Sequence, residues 1–366
     1  KKLKEYLLSN NIEAKSFNAN LLWEPWTIKN KSGNPYKVFT PFYKSGCLQS
    51  VVPRKPIKKP KKISFKKIKT NLKEHKFSHI NQKDHWSNKF LKYWEVGEIA
   101  ANKTFDRFLE NGAKNYSTGR NFPSTENVSR LSPYLHWGEI SPFEVWYQAN
   151  NKMYGENKKV FLSEIGWREF SYHLLYNFPS LQEENLKSNF NSFPWEEDHI
   201  LLKKWEKGLT GYPIVDAGMR ELWETGYMHN RVRMITSSFL VKNLLLNWKH
   251  GKNWFWDCLL DADAASNSAS WQWVAGTGTD ATPFFRIFNP ITQSQKFDEN
   301  ANYIKKYLPE LQNLPTKMVF SPFEHDKSVL KNYGVVLGEN YPFPIIDYSE
   351  SRKRALNSYT NFISKN

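Results

Sequence analysis

Four stretches of the chain carry residues whose types and spacing suit chemistry. In the first, Tyr116-Ser-Thr-Gly-Arg120 precedes Val128-Ser129-Arg130-Leu131-Ser132-Pro133. Hydroxyls and an arginine just before a helix can hold a phosphate through side-chain and backbone donors, though Ser129 and Ser132 read equally as helix caps. In the second, Glu164-Ile-Gly-Trp167-Arg168-Glu-Phe places Glu164 and Arg168 four apart on a helix, with Trp167 beside the same face. A surface ion pair next to a core tryptophan is the plain alternative. The third runs from Gly211 to Arg220 and then through Met228-His-Asn230-Arg231-Val-Arg233-Met234. Asn230, Arg233 and Met234 share a helical face. An amide, a cation and a soft thioether there suit a polar ligand with a flat apolar part, or a core methionine beside surface arginines. The fourth is Asp261-Ala-Asp263-Ala-Ala-Ser-Asn267-Ser-Ala-Ser-Trp271-Gln-Trp273. Small residues around its carboxylates and amide permit close approach by a ligand. Asp261 and Asp263 lack the further oxygens that a divalent metal needs. The glycines that follow match neither a P-loop nor a dinucleotide fingerprint.

These stretches need a helical scaffold. Apolar residues recur at helical spacing over Lys89–Gly112, Asn157–Tyr176, Asp216–Thr225, His229–Trp248 and Trp254–Leu260, and strand-like runs are nearly absent. Upstream, Lys1–Asn11 reads as a helix end, and residues 21–39 read as strands around a Ser-Gly-Asn-Pro turn. Between Val51 and Phe77 lie eleven Lys or Arg and one Glu, with Pro53, Pro56 and Pro60. That composition predicts an extended basic linker, either a solvated tether or a contact to a nucleic-acid backbone. His75 and His79 are four apart there, but no Cys or acidic cluster joins them, so no metal site is expected.

Composition narrows the class. The chain has 366 residues, 40% hydrophobic and 24% charged, which excludes a wholly disordered protein. Its longest run without a charged side chain, Ala264–Thr279, is rich in Ser, Thr, Gly and Ala, so no transmembrane helix is expected. Two distant cysteines, Cys47 and Cys258, give no disulfide framework, and a reduced cytoplasmic setting is expected. The formal charge of +16 and 16% aromatics fit a nucleic-acid partner or a basic enzyme with an aromatic core. Arginine is scarce, 11 against 41 lysines, yet Arg120, Arg130, Arg168, Arg220, Arg231, Arg233 and Arg286 fall in or beside the four stretches. Planar, bidentate cations are thus concentrated where a ligand would be held.

Together, TGYPIVDAGMREL, GYMHNRVRMITSSFLVKNLL and LLDADAASNSASWQWVAGTGTDATPFFRIFNP resemble the FAD-binding signature of the photolyase/cryptochrome family. Within it, MHNRVRM is most similar to class I cyclobutane pyrimidine dimer photolyases. The resemblance implies a mainly α chain: an all-helical FAD-binding domain over residues 84–366, a basic linker over 47–83, and a truncated remnant of an α/β antenna domain over 1–46. FAD, active as FADH⁻, would be held by Tyr116, Ser129, Leu131 and Ser132 around its phosphate and ribityl region. Arg168, Arg233, Asp261, Asp263 and Asn267 would surround its rings, with Asn267 facing flavin N5. Val128 stands where similar proteins carry Thr, which removes one hydroxyl. UV-damaged DNA would be the partner, its dimer flipped out against Glu164, Trp167, Asn230, Met234 and Trp273, with Arg120 and Arg231 toward the strand. Trp271, Trp248 and Trp195 would relay electrons to the flavin. An antenna pigment, folate or deazaflavin, is not expected on so short an N-terminal region. The resemblance further implies a monomer acting at the bacterial nucleoid, in the cytoplasm. A cryptochrome-like photosensor without repair activity and a flavin-free nucleic-acid-binding module are the competing readings.

Overall fold

The structure, a computed structural model, describes residues 2–64, 85–279 and 286–365. Most helices begin where a side chain can satisfy a free backbone N–H. Asp198 caps α6 (His199–Glu206), His229 caps α8 (Asn230–Ser238), Asn247 caps α9 (Trp248–Cys258) and Asp263 caps α10 (Ala264–Ala275). Before these come α1 (Lys2–Ser9), α2 (Glu98–Arg107), α3 (Ser132–Trp137), α4 (Pro142–Lys152), α5 (Gly155–Asn177) and, after α6, α7 (Pro213–Thr225). Toward the C-terminus follow α11 (Pro290–Phe297), α12 (Asn302–Tyr307) and α13 (Tyr348–Ile363). Glycines in the left-handed region, Gly226 at φ 68° and Gly276 at φ 82°, end α7 and α10. Among the described residues there is no strand, only isolated bridges at Glu196–Leu246 and Leu337–Tyr341. No described helix is long and apolar enough to cross a membrane.

The mainly helical expectation is met, with corrections. Residues 21–39 form turns rather than strands, and no α/β character appears over residues 2–64. Leu22, Trp23, Ile28, Phe42, Tyr43 and Cys47 are instead buried in a core shared with the helices, Trp23 meeting Trp146 of α4 and Phe42 meeting Phe170 and His173 of α5. Apolar alternation in this short segment is satisfied by one-sided packing onto helices, so no sheet partner is needed. The helix read over Lys89–Gly112 divides at residues 93–97, where Gly97 takes φ 105°. The one read over His229–Trp248 divides near Leu245, whose φ of 56° breaks the helix. The linker begins docked: Pro53 is buried, its carbonyl accepts from Tyr147 at 2.6 Å, and Arg54 lies 3.9 Å above the Phe143 ring of α4. Its continuation through 65–84, including His75 and His79, lies outside the described residues.

Among the described residues two large apolar cores form, with a smaller third around Phe190, Phe193, Leu245, Ala355 and Phe362. Of the large two, one gathers α2, α4, α5 and the N-terminal segment, and the other gathers α6 to α10 with α12 and the C-terminal region. α10 packs against both α5 and α9, so it stands where the two cores meet.

Candidate functional site

A cavity of about 530 Å³ opens along that junction. Its wall draws Ser129, Leu131 and Ser132 from the turn before α3, Glu164, Trp167 and Arg168 from α5, and Asn230, Arg233 and Met234 from α8. Tyr116, Arg120, Asp261, Asp263, Asn267, Trp271 and Trp273 complete the set read from the sequence. Arg231, Trp248 and Trp195 lie outside the wall. Segments separated by more than a hundred residues therefore converge on one space.

One end of the cavity is built on two aspartates. Asp261, almost fully buried, takes the Arg233 guanidinium at 2.9 Å, and Arg233 Nε donates to the Met228 carbonyl at 2.7 Å. Asp263 accepts from the Tyr172 hydroxyl and from the Ser266 amide at 2.7 Å, and His136 Nδ1 stands 3.5 Å away. Burial alone would raise Asp263, but the bonds from His136, Tyr172 and Ser266 outweigh it and hold its carboxyl down to about 2. Both carboxylates spend their oxygens on protein donors, which leaves the metal reading without ligands. Asn267 donates through Nδ2 to the Lys252 carbonyl at 3.0 Å, which leaves Oδ1 to accept from a ligand. Burial pushes the Tyr116 hydroxyl above its usual range, so it stays a neutral donor. His229 is pushed down to about 3, by burial first and then by the surrounding arginines, and caps α8 as a neutral ring.

On α5, Glu164 pairs with Arg120 at 2.5 Å, not with Arg168 as the i, i+4 spacing suggests. Arg168 turns instead to Asn20, donating to its carbonyl at 2.6 Å and to its side-chain oxygen, and it lies 3.6 Å from Glu169. A tertiary partner thus outcompetes the neighbour one turn away. Trp167 stacks on Phe39 at 3.8 Å, so one indole face is already covered. Arg231 is held by Asn121 and lies 4.3 Å above the Phe297 ring. Trp271, in the wall, and Trp248, behind it, are buried while Trp195 is partly exposed, and all three join the same apolar core. Trp248 donates to Asn185 at 2.9 Å.

Sequence reasoning missed His136, Tyr172, Tyr227 and Asn20. Their roles arise from contacts across the fold: Tyr172 and His136 reach Asp263 from α5 and α3, and no spacing in the chain links them.

Comparison with known proteins gives a consistent picture. Residues 161–361 match the model of the FAD binding domain of DNA photolyase, and residues 1–61 match that of DNA photolyase. A deoxyribodipyrimidine photo-lyase of Agrobacterium fabrum is 46% identical, the match covering 98% of this chain and 76% of the relative. Cryptochrome-1 of Arabidopsis thaliana is 37% identical over 96% of this chain and 53% of its own length. The crystal structure of a bacterial class III photolyase from Agrobacterium tumefaciens superimposes with a TM-score of 0.93 at 45% identity, covering 99% of this chain and 76% of that one. That neighbour is described as class III, whereas MHNRVRM reads as most similar to class I, and the comparisons establish the family without fixing the class.

Proposed function

The chain belongs to the DNA photolyase/cryptochrome family, and from that premise we propose that it binds FAD in the cavity and repairs cyclobutane pyrimidine dimers in DNA with light. The observation that carries the reading is the convergence of the partly buried Arg233–Asp261 pair, Asp263 and Asn267 on one cavity with Glu164 and Trp167. The donor set fits such a cofactor. Tyr116, Ser129 and Ser132 offer hydroxyls to phosphate and ribityl oxygens, Asn267 offers an oxygen acceptor to a ring N–H, and the volume lies in the usual range for ligand pockets.

When bound and reduced, the flavin supplies one electron under light and recovers it after the dimer opens. The protein needs no nucleophile. Arg233 keeps a positive charge beside the ring site, balanced by Asp261 so that the charge is not left buried alone. Trp167 presents its uncovered face to a flipped base, and Trp273 lines the same cavity. Glu164 accepts from a thymine edge, with its carboxylate oriented by Arg120. Trp271, Trp248 and Trp195 would relay an electron inward from a reductant at the surface, so that oxidised flavin could be reduced to its active form, because indole is readily oxidised.

The test is illumination of dimer-containing DNA with the reduced, flavin-loaded protein, following the return of pyrimidine absorbance. Light-dependent recovery is expected, and Glu164→Ala should slow it while flavin stays bound. No recovery with flavin present would leave the photosensor reading. No bound flavin would leave only a nucleic-acid-binding module.

A further inference from the structure

We propose that Arg130 is a positioning residue for the flavin site, holding the turn of Ser129, Leu131 and Ser132 in shape through its stacked guanidinium. The proposal rests on the flavin reading above.

Arg130 adopts φ 53°, a left-handed backbone that a non-glycine residue rarely takes without compensation. Among the described residues only Asn11, Leu245 and Ala301 share it outside glycine, and none of these lines the cavity. This backbone turns the chain between Ser129 and Leu131, and both of these residues reach the cavity wall. Arg130 itself also lines the cavity. Its guanidinium sits in the corner between the Trp94 ring, at 4.9 Å, and the Tyr227 ring, at 4.7 Å. Those rings lie 5.8 Å apart and are tilted by 59°, so one planar cation touches both.

The corner is itself anchored. Trp94 Nε1 donates to the Thr225 carbonyl at 2.8 Å, and the Tyr227 amide donates to Thr225 Oγ1 at 3.2 Å. Thr225 closes α7. The Tyr227 ring also carries the Arg233 guanidinium at 5.4 Å, and Arg233 holds Asp261. One aromatic ring therefore ties the Ser129–Ser132 turn to the neighbouring Arg233–Asp261 ion pair. The cation offsets the strained backbone, and the backbone shapes the wall.

The experiment compares binding of FAD with binding of riboflavin, which lacks the diphosphate and adenosine, to flavin-stripped protein by fluorescence titration. Arg130→Ala keeps a Cβ on the strained backbone and removes the stack. It should weaken FAD by about tenfold or more and riboflavin, which of the groups at that turn keeps only the ribityl chain, by clearly less. Arg130→Gly relieves the backbone and should recover part of the loss. Arg130→Lys keeps the charge but not the plane and should lose FAD as alanine does, and Tyr227→Phe, which keeps the ring, should bind as the parent does. Equal losses of FAD and riboflavin with a lower melting temperature would overturn the proposal in favour of a folding role. Full affinity in Arg130→Lys with equal losses in alanine and glycine would overturn it in favour of charge alone, as would unchanged FAD binding in every variant in favour of no role. If Arg130→Ala does not fold, the lysine and glycine variants carry the same comparison. A parent that binds no FAD refutes the flavin reading itself, whereas a parent that binds it beside unaffected variants refutes only the role of Arg130.

Discussion

Gly251→Ala should damage the protein although alanine is the better helix former. Gly251 is buried in α9, one turn beyond Trp248. A Cβ at this position would stand 2.0 Å from Trp271 Cη2, 2.4 Å from Cζ3 and 2.6 Å from Cζ2. Carbon atoms pack best at about 3.5–4.0 Å, so the methyl overlaps the ring by roughly 1.5 Å. The gain in helix propensity is about 1 kcal/mol. Overpacking costs about 1–3 kcal/mol, and an overlap against three atoms belongs at the upper end. Loss should win, leaving the variant less stable by about 2 kcal/mol on these figures. Trp271 has little room to retreat, because Phe255 meets its ring edge-on at 5.0 Å and Trp205 at 6.2 Å. The open side is the cavity, so the indole should move into the space reserved for the cofactor. Denaturant unfolding of the flavin-free protein and a flavin titration read the two effects separately. Trp271→Phe removes the outer ring atoms that the methyl strikes, so the double variant should regain stability, a coupling that a double-mutant cycle measures. A Gly251→Ala protein as stable as its parent, with unchanged flavin binding, would refute the reasoning, as would a Trp271→Phe change that fails to rescue it.

Two other perturbations probe separate parts of the structure. Trp248→Phe removes the buried indole bonded to Asn185 and should slow photoreduction of oxidised flavin while sparing repair by prereduced protein; equal photoreduction in transient absorption would remove Trp248 from the relay. Burial, opposed by Arg168 and the Trp23 and Leu22 amides, pushes Glu169 from 4.5 up to about 7. A carboxyl raised on folding makes the folded state hold the extra proton between those values, so its contribution to stability falls as pH rises from 4.5 to 7. Glu169→Gln should flatten that part of the profile and melt higher than the parent above pH 7, with melting at pH 5 and 8 as the check; a parallel profile would show that Glu169 does not titrate in this range.

Where helices lie was largely legible, because a 3.6-residue apolar repeat reflects a choice each segment makes locally. Asn157–Tyr176 was read almost to its ends, observed as Gly155–Asn177. Breaks were not legible. Gly97, which precedes α2, and Leu245, which follows the extension of α8, interrupt the helical runs through backbone angles that the apolar pattern does not encode. The N-terminal strands were misread for a related reason: alternation reports a buried face, but not whether a sheet or a helix buries it.

The sequence by itself determined the cast of the site. Scarce arginines, small residues around Asp261 and Asp263, and the tryptophans of the fourth stretch all carry their signal in residue type and spacing, and Arg120, Arg130, Arg168, Arg233, Trp271 and Trp273 line the cavity while Arg220, Arg231 and Arg286 do not. Tertiary structure decided the pairings. Glu164 belongs to Arg120 rather than Arg168, Arg168 to Asn20, Asp263 to Tyr172, and Trp167 already has Phe39 on one face. A charged or aromatic side chain takes whichever partner lies nearest once the cores have packed. That distance is set by helices far apart in the chain, so local spacing names the candidates and packing alone selects among them.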